Sequence, residues 1–405
     1  MNSSESFMFN KLFEHLSNIS LNNYDDIAKV IVENISYPIV YSNYHNRDIW
    51  RFNIQSRLWE FIHWKTFKDD IKQSLITEIN FRIESSQIKN SQIESSQLDF
   101  LINLRDKILN CLHWKFVCNS IILYIEYNSS FESTLDIQKN LLPIKDGKVL
   151  DLIKGNIRQR TQEDYFTYEI PYDYDPNCDS PIIEAFLNNI CFNDEDLKNY
   201  FQYVFGSCLT GNPPNKEFYI IYTNKTNGEF IFMDLLKKIL NNQYQYQNKV
   251  SYTARGFQKK LLDFDINCIT KKGNFNGGMI KSLACDEIRT DITRRGRTPI
   301  TYTPQYKSFL ITTHIPGCNR DRALLYRLKF LPLNDLFTEI TINNETINIS
   351  DIDKIISQND MNYLFSWLIL GAIRSNREKP IIPKRSKRIE VKYMLDSGFE
   401  IPDDV

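Results

Sequence analysis

No two of the eight cysteines form a Cys-x-x-Cys pair. That spacing offers neither a zinc site nor a disulfide framework, and it suits buried free thiols in a reducing compartment. The five histidines have no partners at metal-ligand spacing, so no metal is assigned. An excess of charge is also missing. The formal net charge is -1, so nothing global demands nucleic acid or a membrane surface, and any basic surface must be local. The N-terminus has no basic flank and no apolar signal core. The longest apolar segment, 363–373, falls short of the ~20 residues that span a bilayer. These absences predict a soluble, intracellular protein with no membrane partner.

What is there is enough for a sizeable core: 42% of 405 residues are hydrophobic, and that length suggests two or three domains at ~100–200 residues each. Residues 1–40 read as short amphipathic helices ending near Pro38. Residues 48–64 read as a hairpin, with Trp50, Phe52 and Ile54 alternating onto one buried face. Helical spacing returns over 66–82, and again over 98–112 and 114–124. Between them Ile83-Glu84-Ser85-Ser86-Gln87 recurs at 93–97, a short polar duplication. From 135 the texture changes to short strand-like runs with an Asp146-Gly147 turn. Residues 181–209 are helical.

The stretch 217–240 is the most informative. Phe218 to Tyr222 has the content of a buried strand, 223–228 is a polar loop, and Phe232, Leu235, Leu236 and Ile239 stand at helical spacing. Strand, loop and helix form the context of a phosphate-binding loop. Such a loop needs a lysine and a hydroxyl directly after its last glycine, for phosphate and Mg²⁺. Aligned on Gly228, the first glycine is Thr223, Asn227 precedes Gly228, the lysine is Glu229 and the hydroxyl is Phe230. Farther on come a basic turn (Arg294, Arg295, Arg297), strands at 307–313 and 327–331, a helical pair over 351–375 and a basic cluster at 384–388.

In this order, the features resemble the poxvirus-type primase-helicases of large DNA viruses, phages and mobile elements, whose C-terminal half is a superfamily 3 helicase. The likeness rests on Leu142, Gly147, Leu150-Asp151-Leu152, Arg160, Asp164-Tyr165-Phe166-Thr167, Pro171 and Asp173-Tyr174-Asp175-Pro176. It is extended by Trp50-Arg51-Phe52 with Trp59, by Ile280-Lys281-Ser282-Leu283, by 307–316, by Tyr326-Arg327-Leu328 and by Trp367 with Gly371. The resemblance covers about 40 to 388 and corresponds to the helicase half.

It implies an α/β chain: a mainly helical N-terminal region with a β-hairpin, followed by a P-loop, AAA-like superfamily 3 helicase domain. The implied divisions are 1–134 (helical, with hairpin), 135–180 (strand and turn connector), 181–335 (helicase-like ATPase domain), 336–378 (helical lid) and 379–405 (basic tail with no further core). Lys281, Arg294, Arg295 and Arg297 are the expected contacts to single-stranded or forked DNA. Arg327 stands at the arginine-finger segment, and His314 at the sensor asparagine. Thr223, Asn227, Gly228, Glu229 and Phe230 form the nucleotide loop. No acidic residue closes an apolar run between 261 and 280 at the distance of a Walker B strand; Asp263 and Asp265 come too early.

Two unit charges ~4 Å apart interact by ~1 kcal/mol in water and ~4 kcal/mol at an effective dielectric of ~20. Glutamate for lysine therefore exchanges an attraction of that order for a comparable repulsion. With four departures in separate segments, the favoured expectation is a helicase-shaped protein with weak or no ATP hydrolysis, acting as DNA-binding or ring scaffold. It would assemble as a homo-oligomeric ring or with a full-length primase-helicase, in the host cytoplasm or a viral replication factory. ATP and Mg²⁺ enter only in a second reading, an active helicase with unorthodox motifs. A third is a repurposed interaction module.

Overall fold

The computed structural model describes residues 15–16, 20–43, 47–88, 95–212, 215–223, 228–240, 256–257, 274–285, 289–291, 300–302, 306–312, 314–318, 320–334, 338–342 and 344–399. The chain divides into two compact units, 1–135 with 161–167, and 136–160 with 168–405.

The first unit begins with α1 (Tyr24–Glu33), capped by the Asn23 side chain, which accepts from the N–H groups of Asp25 and Asp26. Next come β1 (Ile39–Asn43), β2 (Asp48–Asn53) and β3 (Leu58–His63). Three helices follow, α2 (Trp64–Ile88), α3 (Ser95–Leu109) and α4 (Cys111–Tyr124). The last two part at Asn110, whose side chain caps α4 through the N–H groups of Leu112 and His113. β4 (Glu126–Tyr127) and the single turn α5 (Phe131–Thr134) close the unit. The strand order is β3-β2-β1-β4, antiparallel except for β1 with β4. Phe67, Ile71, Leu75, Ile79 and Ile83 form the buried stripe of α2, and they share a core with Ile49 and Ile62 from one face of the sheet.

The hairpin differs from the expectation of one buried face. Ile49 and Ile62 face the helices, while Phe52 and Trp59, cross-strand partners, face a second aromatic cluster with Val40 and Phe131. Ile54 lies in the turn and is exposed. Residues 161–167 supply part of that second cover. The Trp59 indole N–H donates to the Gln162 carbonyl at 2.8 Å, the Trp59 backbone N–H donates to the Phe166 carbonyl at 2.8 Å, and the Tyr165 ring stacks on Trp59.

The second unit opens with an antiparallel meander, β5 (Leu141–Ile144), β6 (Lys148–Asp151) and β7 (Ile157–Gln159). Asp146 and Gly147 both take positive φ (63° and 66°), the conformation for which an Asp-Gly pair is suited. Then follow α6 (Pro181–Ile190), α7 (Glu195–Ser207), β8 (Phe218–Tyr222), α8 (Gly228–Leu240), α9 (Gly277–Leu283), β9 (Phe309–Thr312), α10 (Arg322–Leu325), β10 (Leu328–Pro332), α11 (Gln358–Ser375) and α12 (Lys384–Asp396). A β9-β8-β10 sheet, parallel throughout, lies at the centre. Both faces are covered, as parallel strands require. Tyr219, Ile221, Phe309 and Leu331 join a core built from α6, α7, α8 and α11. Phe218, Ile220, Leu310 and Phe330 join a smaller one with Ile280, Leu324 and Tyr393.

Two contacts explain residues on which the resemblance rests. The 171–176 segment is held to α11: the Asp173 N–H donates to the Asn362 side chain (3.2 Å) and the Asp175 N–H to Ser366 Oγ (3.0 Å). Gly371 of α11 meets α7 so closely that an added Cβ would lie 1.9 Å from the Gln202 carbonyl oxygen. Gly206 faces the same crossing, where an added Cβ would lie 2.5 Å from backbone atoms of α11.

The expectation that nothing beyond 378 joins a core is corrected. α12 buries Tyr393 and Met394. Tyr393 sets its ring against Phe330 and donates its hydroxyl to the Pro316 carbonyl at 2.6 Å.

Candidate functional site

Parallel sheets bind ligands at the carboxyl ends of their strands, where connections part to either side. β8 has one later strand on each side, so its carboxyl end is that place. The edge is tied together by backbone bonds. The Thr223 N–H donates to the Thr312 carbonyl at 3.3 Å, and the Leu333 N–H to the Tyr222 carbonyl at 2.9 Å. Thr223 is buried. Asn227 lies outside the described residues. Gly228 opens α8, whose first turn carries Glu229 and Phe230; the placement of these two side chains is outside the described set. A helix N-terminus at this edge suits an anion electrostatically. Magnesium nucleotide also needs a cation and a hydroxyl directly after the glycine, and this chain supplies a carboxylate and a phenyl ring. The donor set does not fit that group.

His314 lies two residues beyond β9, at the same edge as Thr223 and Gly228. Its side chain is exposed, and its backbone N–H donates to Thr312 Oγ1 at 3.1 Å. Arg327 is elsewhere. It precedes β10, and its carbonyl accepts from the Phe218 N–H at 2.7 Å, at the amino end of β8. A strand advances ~3.3 Å per residue, so the length of β8 separates Arg327 from the Gly228 turn by roughly 17 Å. Arg327 Nη1 donates to the Ala323 carbonyl, and its Nε is buried without an acceptor among the described residues.

Lys281 sits on α9 with Nζ 2.9 Å from Asp321 Oδ2. Asp321 also caps α10 through the Leu324 N–H. The Lys281 hydrogen bond is the main cause that holds the Asp321 carboxyl below its usual range. Lys281 is thus half engaged inside the fold. Arg294, Arg295 and Arg297 lie outside the described residues. The segments on either side of them, 289–291 and 300–302, pair as antiparallel strands, with Arg289 opposite Tyr302 and Asp291 opposite Ile300.

Sequence reading did not foresee that two of its cations are buried. Arg160 is 0% exposed, and its Nη2 pairs with Glu169, which also accepts the Gly147 N–H at 3.1 Å. That pairing fixes the 146–147 turn. Lys307 is 3% exposed and donates Nζ to the Asn212 carbonyl at 2.8 Å; burial pulls its pKa down to about 8. A lysine at the head of an apolar strand was the available signal. Trp59 is buried, and its indole and backbone N–H groups are taken up by the 162 and 166 carbonyls.

Among known proteins, a family described as D5 N terminal like matches residues 39–192. A putative helicase, L207/L206, of Acanthamoeba polyphaga mimivirus is 25% identical over 336 residues, 77% of this chain and 34% of the relative. The chain therefore spans about a third of that relative's length. Among solved structures, the A-form apo structure of the NrS-1 C-terminal region overlaps with TM-score 0.45 at 8% identity, over 90% of this chain and 74% of that one. A second apo structure of that region gives 0.43 at 7% identity, over 92% and 76%. Among the described residues no helix is long and apolar enough to cross a membrane. Residues 39–192 are thus similar to the D5 N terminal like family.

Proposed function

We propose that residues 181–335 are a P-loop, AAA-like domain of superfamily 3 helicase type, and that the chain is a DNA-replication protein whose ATPase chemistry has been substituted away. One observation carries the reading. Gly228 opens a helix from the carboxyl end of a central parallel strand, where a phosphate loop belongs, and the next two residues are Glu and Phe. The mimivirus relative, named as a putative helicase, supports the helicase half of the reading. Residues 135–180 act as connector and 336–378 as lid. The protein binds single-stranded or forked DNA through the 281–297 segment, whose sequence carries Arg294, Arg295 and Arg297. Phosphate contact needs only positive charge, so it survives loss of catalysis. The working form is a ring of copies or a joint assembly with a full-length primase-helicase.

ATP turnover by the full chain, with and without oligo-dT, is the test. The expected result is hydrolysis no faster than buffer, and gain of binding to a fluorescent ATP analogue on Glu229→Lys with Phe230→Thr. Turnover stimulated by single strands in the unmodified protein would overturn the degenerate reading. Salt-dependent DNA binding lost on Lys281→Ala with Arg295→Ala is expected. Absence of any DNA binding would leave an interaction protein.

A further inference from the structure

α12 presents two unlike faces. Ser386, Ile389, Tyr393 and Met394 turn inward, onto β10 and its neighbours. The outward side carries Lys384, Lys387, Arg388, Val391, Lys392 and Leu395, at the i, i+3, i+4, i+7, i+8 and i+11 positions of one helical stripe. These side chains line an open groove of about 440 Å³, which Asp396 ends. The four cations are exposed, and among the described residues none of them is in an ion pair. Arg385 is the exception on this helix. It lies over the Phe192 ring at 4.1 Å and reaches Asp194, on another side.

Three neighbouring pairs in the stripe, 384–387, 384–388 and 388–392, set like charges at repelling helical spacing. A surface that conflicts locally with its own helix is where a ligand supplies the compensation. We infer that the outward face of α12 is a contact for the phosphate backbone of a single-stranded nucleic acid. The charges lie along eight helical steps, from Lys384 to Lys392, roughly 12 Å at about 1.5 Å per step, enough to follow a short run of phosphates. Val391 and Leu395 lie within the stripe and offer apolar surface to sugar and base faces, which a duplex keeps stacked away. An anionic membrane fits less well. An interfacial helix needs a broad apolar face, and the apolar face of α12, made of Ile389, Tyr393 and Met394, is narrow and already set against the sheet. The inference stands on charge and geometry alone. It is separate from the 281–297 segment and independent of nucleotide binding.

The test is fluorescence anisotropy of labelled oligo-dT with the full chain across a series of salt concentrations. Each phosphate contact contributes about 0.7 to the slope of log affinity against log salt for single strands. Changing Lys384, Lys387, Arg388 and Lys392 together to Gln is expected to reduce that slope by about 2 to 3. Arg388→Gln alone is expected to reduce it by about 0.7. Lys384→Arg with Lys387→Arg and Lys392→Arg keeps the charge and is expected to keep the slope. Circular dichroism confirms that each variant is folded; if the fourfold variant is not, Arg388→Gln decides. Unchanged slope and affinity would overturn the inference, as would equal loss of duplex binding, or a variant that loses only its sedimentation with phosphatidylserine vesicles. A wild-type chain that does not bind the oligonucleotide also overturns it. Loss on Lys281→Ala with Arg295→Ala, but not on the α12 variants, leaves the proposed function standing and removes this inference; the converse result does the reverse.

Discussion

Arg160 and Lys307 are both cations taken out of water, and the fold treats them in opposite ways. Arg160 is always charged, and the fold meets that charge with Glu169, which the Gly147 N–H holds in turn. Removing one member of a buried pair strands the other and costs about 3–5 kcal/mol, whereas replacing both with apolar groups is often neutral. Arg160→Met is therefore expected to lower the thermal midpoint sharply, and Arg160→Met with Glu169→Leu to recover most of it. Equal losses in the two variants would show that Arg160 acts through its stem alone. Lys307 donates to the Asn212 carbonyl, and burial is the main cause that drives it toward the neutral amine. Its folded pKa, about 8, lies below the unfolded lysine value of roughly 10.4. Between those values the unfolded chain binds more protons, so stability rises with pH. Below about pH 8 both states are protonated, and the full cost of burial, on the order of 3 kcal/mol, is present. Urea titrations from pH 7 to 10 are expected to show wild type gaining stability relative to Lys307→Met. A difference flat in pH would mean that the lysine keeps its ordinary acidity.

At the scale of elements, the α7–α11 crossing sets the tightest demand. A methyl on Gly371 would meet the Gln202 carbonyl oxygen at 1.9 Å, and one on Gly206 would meet the Leu368 carbonyl oxygen at 2.5 Å. Overpacking of a filled core costs typically 1–3 kcal/mol, and backbone gives way less readily than side chain. Gly371→Ala is expected to reach at least the top of that range and Gly206→Ala to follow, read by urea unfolding. Either variant at wild-type stability would mean that the helices slide apart freely. Gly371 could be picked out from its resemblance, but its reason lies in α7, over 160 residues away. The same division runs through the fold. β8, α8, β9 and α11 were readable because their apolar spacing is local. The β9-β8-β10 order is not local, since it pairs strands about 90 and 110 residues apart. α12 was misread because five cations hide an inward face whose apolar residues are Ile389, Tyr393 and Met394. The hairpin was found, but β1 was not, and its second cover came from 161–167, a segment too distant for alternation to reveal.

For the whole molecule, the decisive fact is which groups one chain can bring together. Thr223, Gly228 and His314 share the carboxyl edge of the sheet, and the sequence order of strand, loop and helix was enough to foresee the first two. Arg327 lies at the amino edge, bonded through its carbonyl to the start of β8. No local motion of β8 within one chain can bring Arg327 to Glu229, because the strand stands between them. A second copy in head-to-tail contact can do so, and a heterologous contact of that kind closes into a ring when its rotation permits. On the proposed reading, in which no triphosphate is bound, the Glu229 carboxylate of a neighbouring copy would be the charge that matches the Arg327 guanidinium. Such a pair at an interface contributes through complementarity, and reversing one member sets like charges against each other, which costs several kcal/mol. Arg327→Glu alone and Glu229→Arg alone are thus each expected to shift the protein to monomer in light scattering coupled to size exclusion. The double exchange is expected to restore assembly. Because Arg327 also donates to the Ala323 carbonyl, Arg327→Glu loses a contact inside its own chain, and restoration by Glu229→Arg separates that loss from the interface. If both single variants assemble as wild type does, or the double variant fails where each single one does, the two residues never meet.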